Sequence, residues 1–343
     1  MPAENAVQAK EAVKGAEAKT QEKRGYAAAA PIVQIRSINK FYGNFQALND
    51  VSLDIMQGEV FGLIGPNGAG KSTLAKIMTG LGKADSGTVN FSGAELTANY
   101  DKIKGFIAIV PQETSFFYSF TVEQNLKFFG AMYGLTGAEL QKRTDYLIEW
   151  LGLSSFRKRQ AENLSGGYKR LLNIACSLVN NPKVIFMDEP TVGLDPKVRE
   201  HFWEKIFELK HQGKTICITT HYMDEAEHLC NRIGLISDGK VLLSGTPQEL
   251  IASFGGVKVL VVKLNKVPEK IIVDAIKGAL KGSDVNAAGN YLIISFLPER
   301  ALEKIASITE WLVKEGYEIV SSRIKEPDLE DVFMNVTGQQ LRN

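Results

Sequence analysis

The 343-residue sequence predicts an α/β protein in which helices cross between the strands of a central sheet. Short apolar runs without alternation occur at 60–64, 106–110, 184–187 and 215–219. Such runs are typical of parallel strands that are covered on both faces. Helical patterns lie between the runs, as crossover connections require, so the chain has the alternating order of an α/β fold.

Local signals place the ends of several elements. Residues 51–55 alternate apolar and polar side chains, which predicts a half-buried strand before the first apolar run. Thr121, with Gln124 three residues later, predicts a capping box at the start of a helix. The Asp-Pro pair at 195–196 predicts another helix start. The Asp-Gly pair at 238–239 predicts a tight hairpin.

Composition divides the chain into three segments. Residues 1–30 are rich in Ala, Glu, Lys and Gln, which predicts a disordered tail. Residues 31–255 are expected to form the α/β domain, and residues 256–343 a small α+β domain with a regulatory or dimerising role. The order of elements in this last segment is that of a ferredoxin-like fold. Its strands are predicted at 257–264, 290–297 and 318–324, and its helices at 268–280 and 298–314.

Charge, hydropathy and cysteine usage exclude several classes of protein. Forty basic residues against 39 acidic residues leave a net charge of +1, so no nucleic-acid partner is expected. No apolar stretch approaches the roughly 18–20 residues that cross a bilayer. The N-terminus lacks the apolar centre of a secretory signal, so a membrane link requires a partner. Cys176, Cys217 and Cys230 lack metal-ligand spacing and are expected to be buried, reduced thiols.

A glycine-rich loop, GPNGAGKS at 65–72, stands between a predicted strand and a predicted helix. Its glycines let backbone N–H groups approach anionic oxygens, and a helix N-terminus favours phosphate. We expect Lys71 to reach the β- and γ-phosphates of a nucleotide and Ser72 to bind Mg²⁺. The predicted phosphate cradle consists of Gly65, Pro66, Asn67, Gly68, Ala69, Gly70, Lys71, Ser72 and Thr73.

An acidic pair follows the apolar run at 184–187. Asp188 is expected to face the cradle across the carboxyl edge of the sheet and to hold Mg²⁺ through water. Glu189 is the natural general base for an attacking water, a role that typically contributes about 10²–10⁴-fold in rate. A strand cap without chemistry is the alternative, and the cradle makes ATP hydrolysis the better interpretation.

A second glycine motif, LSGGY at 164–168, opens another helical pattern and offers a second helix N-terminus for an anion. With the cradle and the acidic pair, this motif makes the chain resemble the ATPase subunit of an ATP-binding cassette (ABC) transporter. The resemblance covers residues 32 to about 250. It implies a P-loop NTPase fold of the ABC type, with a RecA-like core, an antiparallel β subdomain and a helical subdomain.

The resemblance also implies roles for single residues. Tyr42 matches the aromatic residue that stacks on adenine, and Gln112 matches the glutamine that reaches the metal and the attacking water. His221 matches the switch histidine that contacts the γ-phosphate and orders Glu189. Residues 193–195 match the loop that contacts the other subunit of a dimer.

Subunits of this family pair head to tail, which implies that Ser165, Gly166 and Gly167 of one copy bind the γ-phosphate held by the other. Tyr168 departs from the glutamine that most members have at this position, so its role is open. The segment 326–338 resembles the closing motif of drug, lipid and polysaccharide exporters. A subunit of this type acts at the cytoplasmic face of a membrane through a separate integral membrane subunit.

The residues leave alternatives open. A membrane subunit of this type inserts a coupling helix beside Gln112, where Phe116, Phe117, Tyr118 and Phe120 either line a groove or serve ordinary packing. The alternative to an export ATPase is a soluble ABC ATPase that acts as an assembly or regulatory factor. A regulatory subunit without chemistry is disfavoured, because the lysine, the acidic pair and the histidine are intact.

Overall fold

The structure is a computed structural model that describes residues 30–253, 258–279, 284–296 and 301–337. The predicted tail therefore lies outside the described residues, apart from its last position. Two compact units make up the chain, one ending at Ser244 and the other beginning at Gly245.

The first unit combines strands and helices in alternation. Its strands are β1 (Pro31–Tyr42), β2 (Phe45–Met56), β3 (Val60–Ile64), β4 (Ser86–Phe91), β5 (Ala94–Glu95), β6 (Ile107–Val110), β7 (Val184–Asp188), β8 (Thr215–Thr220), β9 (Arg232–Ser237) and β10 (Lys240–Gly245). Its helices are α1 (Lys71–Met78), α2 (Tyr100–Ile103), α3 (Val122–Met132), α4 (Gly137–Trp150), α5 (Gly166–Ser177), α6 (Pro196–His211) and α7 (Met223–Leu229). Short 3₁₀ turns lie at Ser154–Phe156 and Ala161–Asn163.

Two sheets of the first unit share one core. An antiparallel sheet has the order β2-β1-β4-β5, and a second sheet has the order β10-β9-β3-β8-β7-β6. In the second sheet, β3 pairs in parallel with β8 and β9, and β7 pairs in parallel with β6 and β8. Val33 of the first sheet, Phe186 of the second and Leu74 of α1 belong to one buried cluster. The predicted α/β class is confirmed, and α3 packs against α4 and α5 as a helical subdomain.

The predicted start signals are also confirmed. The Thr121 hydroxyl accepts a hydrogen bond from the Gln124 backbone N–H at 3.1 Å, and the Gln124 side chain accepts one from the Thr121 N–H at 2.8 Å. Asp195 caps α6 by accepting a bond from the Val198 N–H at 3.1 Å. Such caps satisfy backbone donors that the first turn of a helix leaves free.

The second unit is an α+β domain. Its elements are α8 (Pro247–Ala252), β11 (Lys258–Leu264), α9 (Lys270–Ala279), β12 (Asp284–Ala288), β13 (Tyr291–Phe296), α10 (Ala301–Lys314), β14 (Ile319–Lys325) and α11 (Leu329–Thr337). The sheet is antiparallel with the order β12-β13-β11-β14, which is the ferredoxin-like arrangement. Strand β12 was missed because its sequence, DVNAA, has little apolar alternation. Helix α8 contacts α11 within this unit, which begins at Gly245, whereas the composition of the sequence placed the boundary after residue 255.

Candidate active site

The glycine-rich loop connects β3 to α1 and needs glycine at particular positions. Gly70 is the N-cap of α1 with φ +104°, and Gly68 has φ +81°. Both values lie in the left-handed region that favours glycine. A Cβ on Gly65 would lie 2.0 Å from the Ile236 carbonyl oxygen, so no larger residue fits there. No side chain caps the start of α1, which leaves its N-terminal N–H groups available to an anion.

Lys71 is held by the loop that it follows. Its ammonium donates to the Gly65 carbonyl at 2.7 Å and to the Pro66 carbonyl at 3.1 Å, and it lies 3.6 Å from Glu189 Oε1. The side chain is 5% exposed. Burial lowers the pKa of Lys71, while the neighbouring Glu189 and Asp188 carboxylates act in the opposite direction. The structure therefore places a desolvated cation directly between the loop and the acidic pair.

Asp188 ends β7 beside the cradle. It accepts a hydrogen bond from the Ser72 hydroxyl at 3.2 Å and another from the Thr219 hydroxyl on the neighbouring strand β8. A hydroxyl and a carboxylate are the oxygen donors that Mg²⁺ prefers. Within the described ranges, no group of three His, Cys, Asp or Glu side chains is arranged to hold a metal. Because Mg²⁺ usually takes one or two protein ligands together with phosphate oxygens, Ser72 and Asp188 fit a nucleotide-bound ion.

Glu189 adopts an unusual backbone conformation, with φ +44°. A non-glycine residue in this region costs on the order of 1–3 kcal/mol. The Glu189 N–H donates to both the carbonyl and the hydroxyl of Thr219, each at 3.1 Å, and these bonds hold the residue in place. The strained turn directs the side chain out of the strand towards Lys71.

The Glu189 carboxyl is the point where the predicted residues meet. His221 Nδ1 lies 3.2 Å from Oε1, which also faces Lys71, and the Gln112 amide donates to Oε2 at 3.5 Å. The side chain of Glu189 is 10% exposed, so the contacts form at the rim of a partly enclosed site. Of the residues predicted to bind the metal, Gln112 contacts the carboxyl of Glu189. Ser72 contacts Asp188 instead.

Other predicted residues lie apart from this cluster. Tyr42, at the end of β1, is 56% exposed, and Lys40 Nζ lies 5.4 Å from its ring centroid. Ser165 is the N-cap of α5, but its side chain makes no capping bond, and a Cβ on Gly166 would meet no atom within 4 Å. Tyr168 packs on Phe156 with ring centroids 4.2 Å apart, which is a packing role for the residue that departs from the family pattern.

Arg170 is a residue that the sequence motifs did not reveal. It is 7% exposed, and its guanidinium donates to backbone carbonyls on both sides of the site. Two acceptors, the carbonyls of Pro111 and Gln112, belong to the Gln112 loop, and the other three belong to residues 188–190. Burial lowers the pKa of Arg170 to about 10, so the group stays charged at neutral pH.

Asn173, one turn further along α5, binds the same loop. Its amide donates to the Pro111 carbonyl at 3.2 Å and to the Glu113 carbonyl at 3.1 Å. Its side-chain oxygen accepts bonds from the N–H and the hydroxyl of Ser115. Helix α5 therefore carries the second glycine motif at its N-terminus and supports the Gln112 loop from its buried face. A buried arginine and asparagine in an otherwise apolar helix pattern are the signal that identifies this support.

Sequence comparison finds a family model and several proteins that are similar to this chain. The family model described as ABC transporter matches residues 48–192. The linearmycin resistance ATP-binding protein LnrL of Bacillus subtilis is 36% identical over 312 residues, which cover 91% of this chain and 100% of that protein. The Nod factor export ATP-binding protein I of Ralstonia nicotianae is 34% identical over 316 residues, 91% of this chain and 96% of that protein.

A solved structure of an ATP-binding cassette, described as a dimeric post-hydrolysis state bound to ADP and Pi, is also similar. It has a TM-score of 0.58 at 29% identity and covers 62% of this chain and 98% of its own. The chain therefore belongs to the ABC transporter ATP-binding proteins, whose cassettes bind and hydrolyse ATP. In the part of the chain that the structure describes, no helix combines the length and apolar character needed to span a bilayer.

Proposed function

We propose that the chain is the ATP-hydrolysing subunit of an ABC exporter and powers translocation by a separate integral membrane subunit. The observation that carries this proposal is the convergence of Lys71, Gln112 and His221 on the Glu189 carboxyl. The relatives support export, because one is named for resistance to linearmycin and another for Nod factor export.

In the proposed reaction, Glu189 takes a proton from the water that attacks the γ-phosphate of ATP. His221 holds the Glu189 carboxyl through its 3.2 Å contact and is placed to sense the γ-phosphate. Lys71 binds the β- and γ-phosphates, exchanging its bonds to the loop carbonyls for bonds to phosphate oxygens. Gln112 orients the water from the opposite side of the carboxyl.

Mg²⁺ is the proposed metal cofactor, with Ser72, Asp188 and Gln112 as the residues that would hold it. When bound, the ion neutralises charge on the phosphate oxygens. The Thr219 bond to Asp188 orients the carboxylate towards Ser72. Tyr42 offers an exposed ring on which adenine can stack.

We further propose that two copies of the chain pair, each completing the other's site. Ser165 and Gly166 are exposed, and Ser165 does not cap α5, so the donors at this helix N-terminus are free for a phosphate from another chain. The dimeric cassette with ADP and Pi is a precedent for pairing in this family. Residues 193–195 lead into α6 and are proposed to contact the partner copy.

The proposed contact with the membrane subunit is an exposed aromatic surface beside the Gln112 loop. Phe117 is 44% exposed, and its ring centroid lies 4.8 Å from Phe128 and 5.0 Å from Phe120. Tyr118 is 47% exposed, whereas Phe116 is 7% exposed and packs inside, so Phe116 does not line this surface. Through this surface the subunit would sit at the cytoplasmic face of the membrane.

Substitution Glu189→Gln tests the proposal. The variant should bind ATP, barely hydrolyse it, and accumulate as a dimer in size-exclusion chromatography with light scattering at saturating ATP and Mg²⁺. Adding Gly166→Asp should abolish the dimer, because the new charge repels phosphate. An ATP-saturated Glu189→Gln variant that stays monomeric would contradict the proposed pairing. Purification of the full chain from membranes, with identification of a bound integral protein, tests the transport role.

A further inference from the structure

Glu225 is a buried acid that lies outside the group of residues that contact the Glu189 carboxyl. It lies on α7, four positions after His221, and is 1% exposed. Neither carboxyl oxygen has a hydrogen-bond partner in the described part of the chain. Burial of an unpartnered carboxyl group is costly, so we expect hydrogen-bond donors for Glu225 in its surroundings.

Helix α7, which carries Glu225, packs against α6, which carries Trp203, and against β8, which ends at Thr220. The Thr191 hydroxyl and the Trp203 indole N–H are buried and, across the described ranges, also lack a hydrogen-bond partner. The Thr220 hydroxyl accepts a bond from the Tyr222 N–H at 3.0 Å, which leaves its proton free to be donated. Burial raises the pKa of Glu225, and the nearby Thr220, Thr191 and Trp203 donors act in the opposite direction. Donors and acceptors thus share one buried cluster.

Each donor lies on a segment that leads to the hydrolytic residues. Thr191 follows Glu189 by two positions, and Thr220 immediately precedes His221. Trp203 lies on α6, which follows the loop after the acidic pair. A carboxylate that accepts bonds from all three donors would fix the segment of the base relative to the segment of the histidine.

We propose that Glu225 is a positioning residue for ATP hydrolysis, accepting hydrogen bonds from these three donors when Glu189 and His221 take their hydrolysing arrangement. The inference rests on the proposed function of the chain. In the described part of the chain, Glu225 makes no contact with the phosphate cradle. Its loss should therefore change the rate of hydrolysis without changing the affinity for nucleotide.

Steady-state ATPase assays on the full-length chain test this separation. Glu225→Ala should lower kcat about 10- to 100-fold, the effect expected when hydrogen bonds to a charged group are lost. The KM for ATP should stay within about twofold of the wild-type value. Glu225→Gln, which keeps the length and a carbonyl acceptor, should recover a large part of kcat. Glu200→Gln, an exposed site on the neighbouring helix α6, is the control and should behave as wild type.

A double-mutant cycle locates the interaction. Thr191→Val keeps the shape of the side chain, so it reports on the missing donor even if Glu225→Ala folds poorly. It should lower kcat several-fold at unchanged KM, and the double variant should be no slower than Glu225→Ala alone. If the two substitutions lower kcat multiplicatively in the double variant, or if neither single variant changes kcat, the inference is wrong. The proposed function still stands in that case, provided that the wild-type chain hydrolyses ATP. Absence of hydrolysis by the wild-type chain would instead refute the proposed function.

Discussion

Arg170 offers the sharpest test of how the site is assembled, because one side chain binds five backbone carbonyls on two segments. Each hydrogen bond to a charged group contributes about 1.5–3 kcal/mol net. The five bonds share one guanidinium, and water can reach some of the carbonyls in an Ala variant. We therefore expect Arg170→Ala to lower the free energy of unfolding by about 3–5 kcal/mol, less than the simple sum.

Urea unfolding of the full chain, followed by circular dichroism, measures this loss. For a slope of about 3 kcal/mol per M, the midpoint should fall by about 1–1.7 M at unchanged slope. Arg170→Lys keeps the charge but cannot span two segments with a planar fork, so it should lie between Ala and wild type. Lys169→Ala is the matched control and should change the stability by less than about 1 kcal/mol, as expected for a partly exposed cation.

The ATPase activity of Arg170→Ala provides a second readout. The variant releases the Gln112 loop and the carbonyls of residues 188–190. Its kcat should therefore be lower than that of the wild type even without urea, when the variant is still folded. If Arg170→Ala unfolds at the wild-type midpoint, the guanidinium bonds do not hold the two segments together. The reasoning about the support provided by α5 would then be wrong.

Three further predictions concern nucleotide binding and the thiols. Lys71→Ala should weaken the binding of ATP by about 10- to 100-fold in calorimetry, as loss of a charge-assisted bond predicts. Lys76 is exposed on the same helix, and Lys76→Ala should leave the affinity unchanged. If both variants bind ATP equally well, Lys71 does not bind the phosphates. Tyr42→Ala should raise the KM for ATP by about 3- to 10-fold because a stacking surface is lost, and Tyr42→Phe should restore it. Burial raises the pKa of the thiols of Cys176, Cys217 and Cys230. A thiol reagent at pH 8 should therefore label none of them in the native chain and all three in urea. Rapid labelling of the native chain would contradict their burial in the core.

The sequence predicted much of the fold because local rules govern strands and helix starts. The apolar run at 60–64 became β3, and the Thr121 capping box formed as expected. Three strands and two helices of the second unit were also predicted in their order, but α8, α11 and β12 were not, and the short polar sequence of β12 gives no periodic signal. Buried positions for the three cysteines are confirmed.

The aromatic residues near Gln112 show where sequence reasoning stops. Phe116, Phe117, Tyr118 and Phe120 lie within five positions, and the chain alone does not say which of them face solvent. Phe116 turns inward, while Phe117 packs with Phe128 on the next helix and stays partly exposed. Side-chain direction in an irregular segment depends on neighbours that are distant in sequence, and periodicity does not supply it.

The sequence by itself determined where the proposed phosphate cradle lies, because a phosphate cradle requires glycines, a lysine and a hydroxyl at fixed local spacing. Only the tertiary structure decided what holds them in register. Arg170 and the Pro111 carbonyl are 59 positions apart, and Thr219 lies 31 positions from Asp188. Contacts of this kind leave no local pattern in the chain, since they arise when folding brings separate segments to the same edge of a sheet.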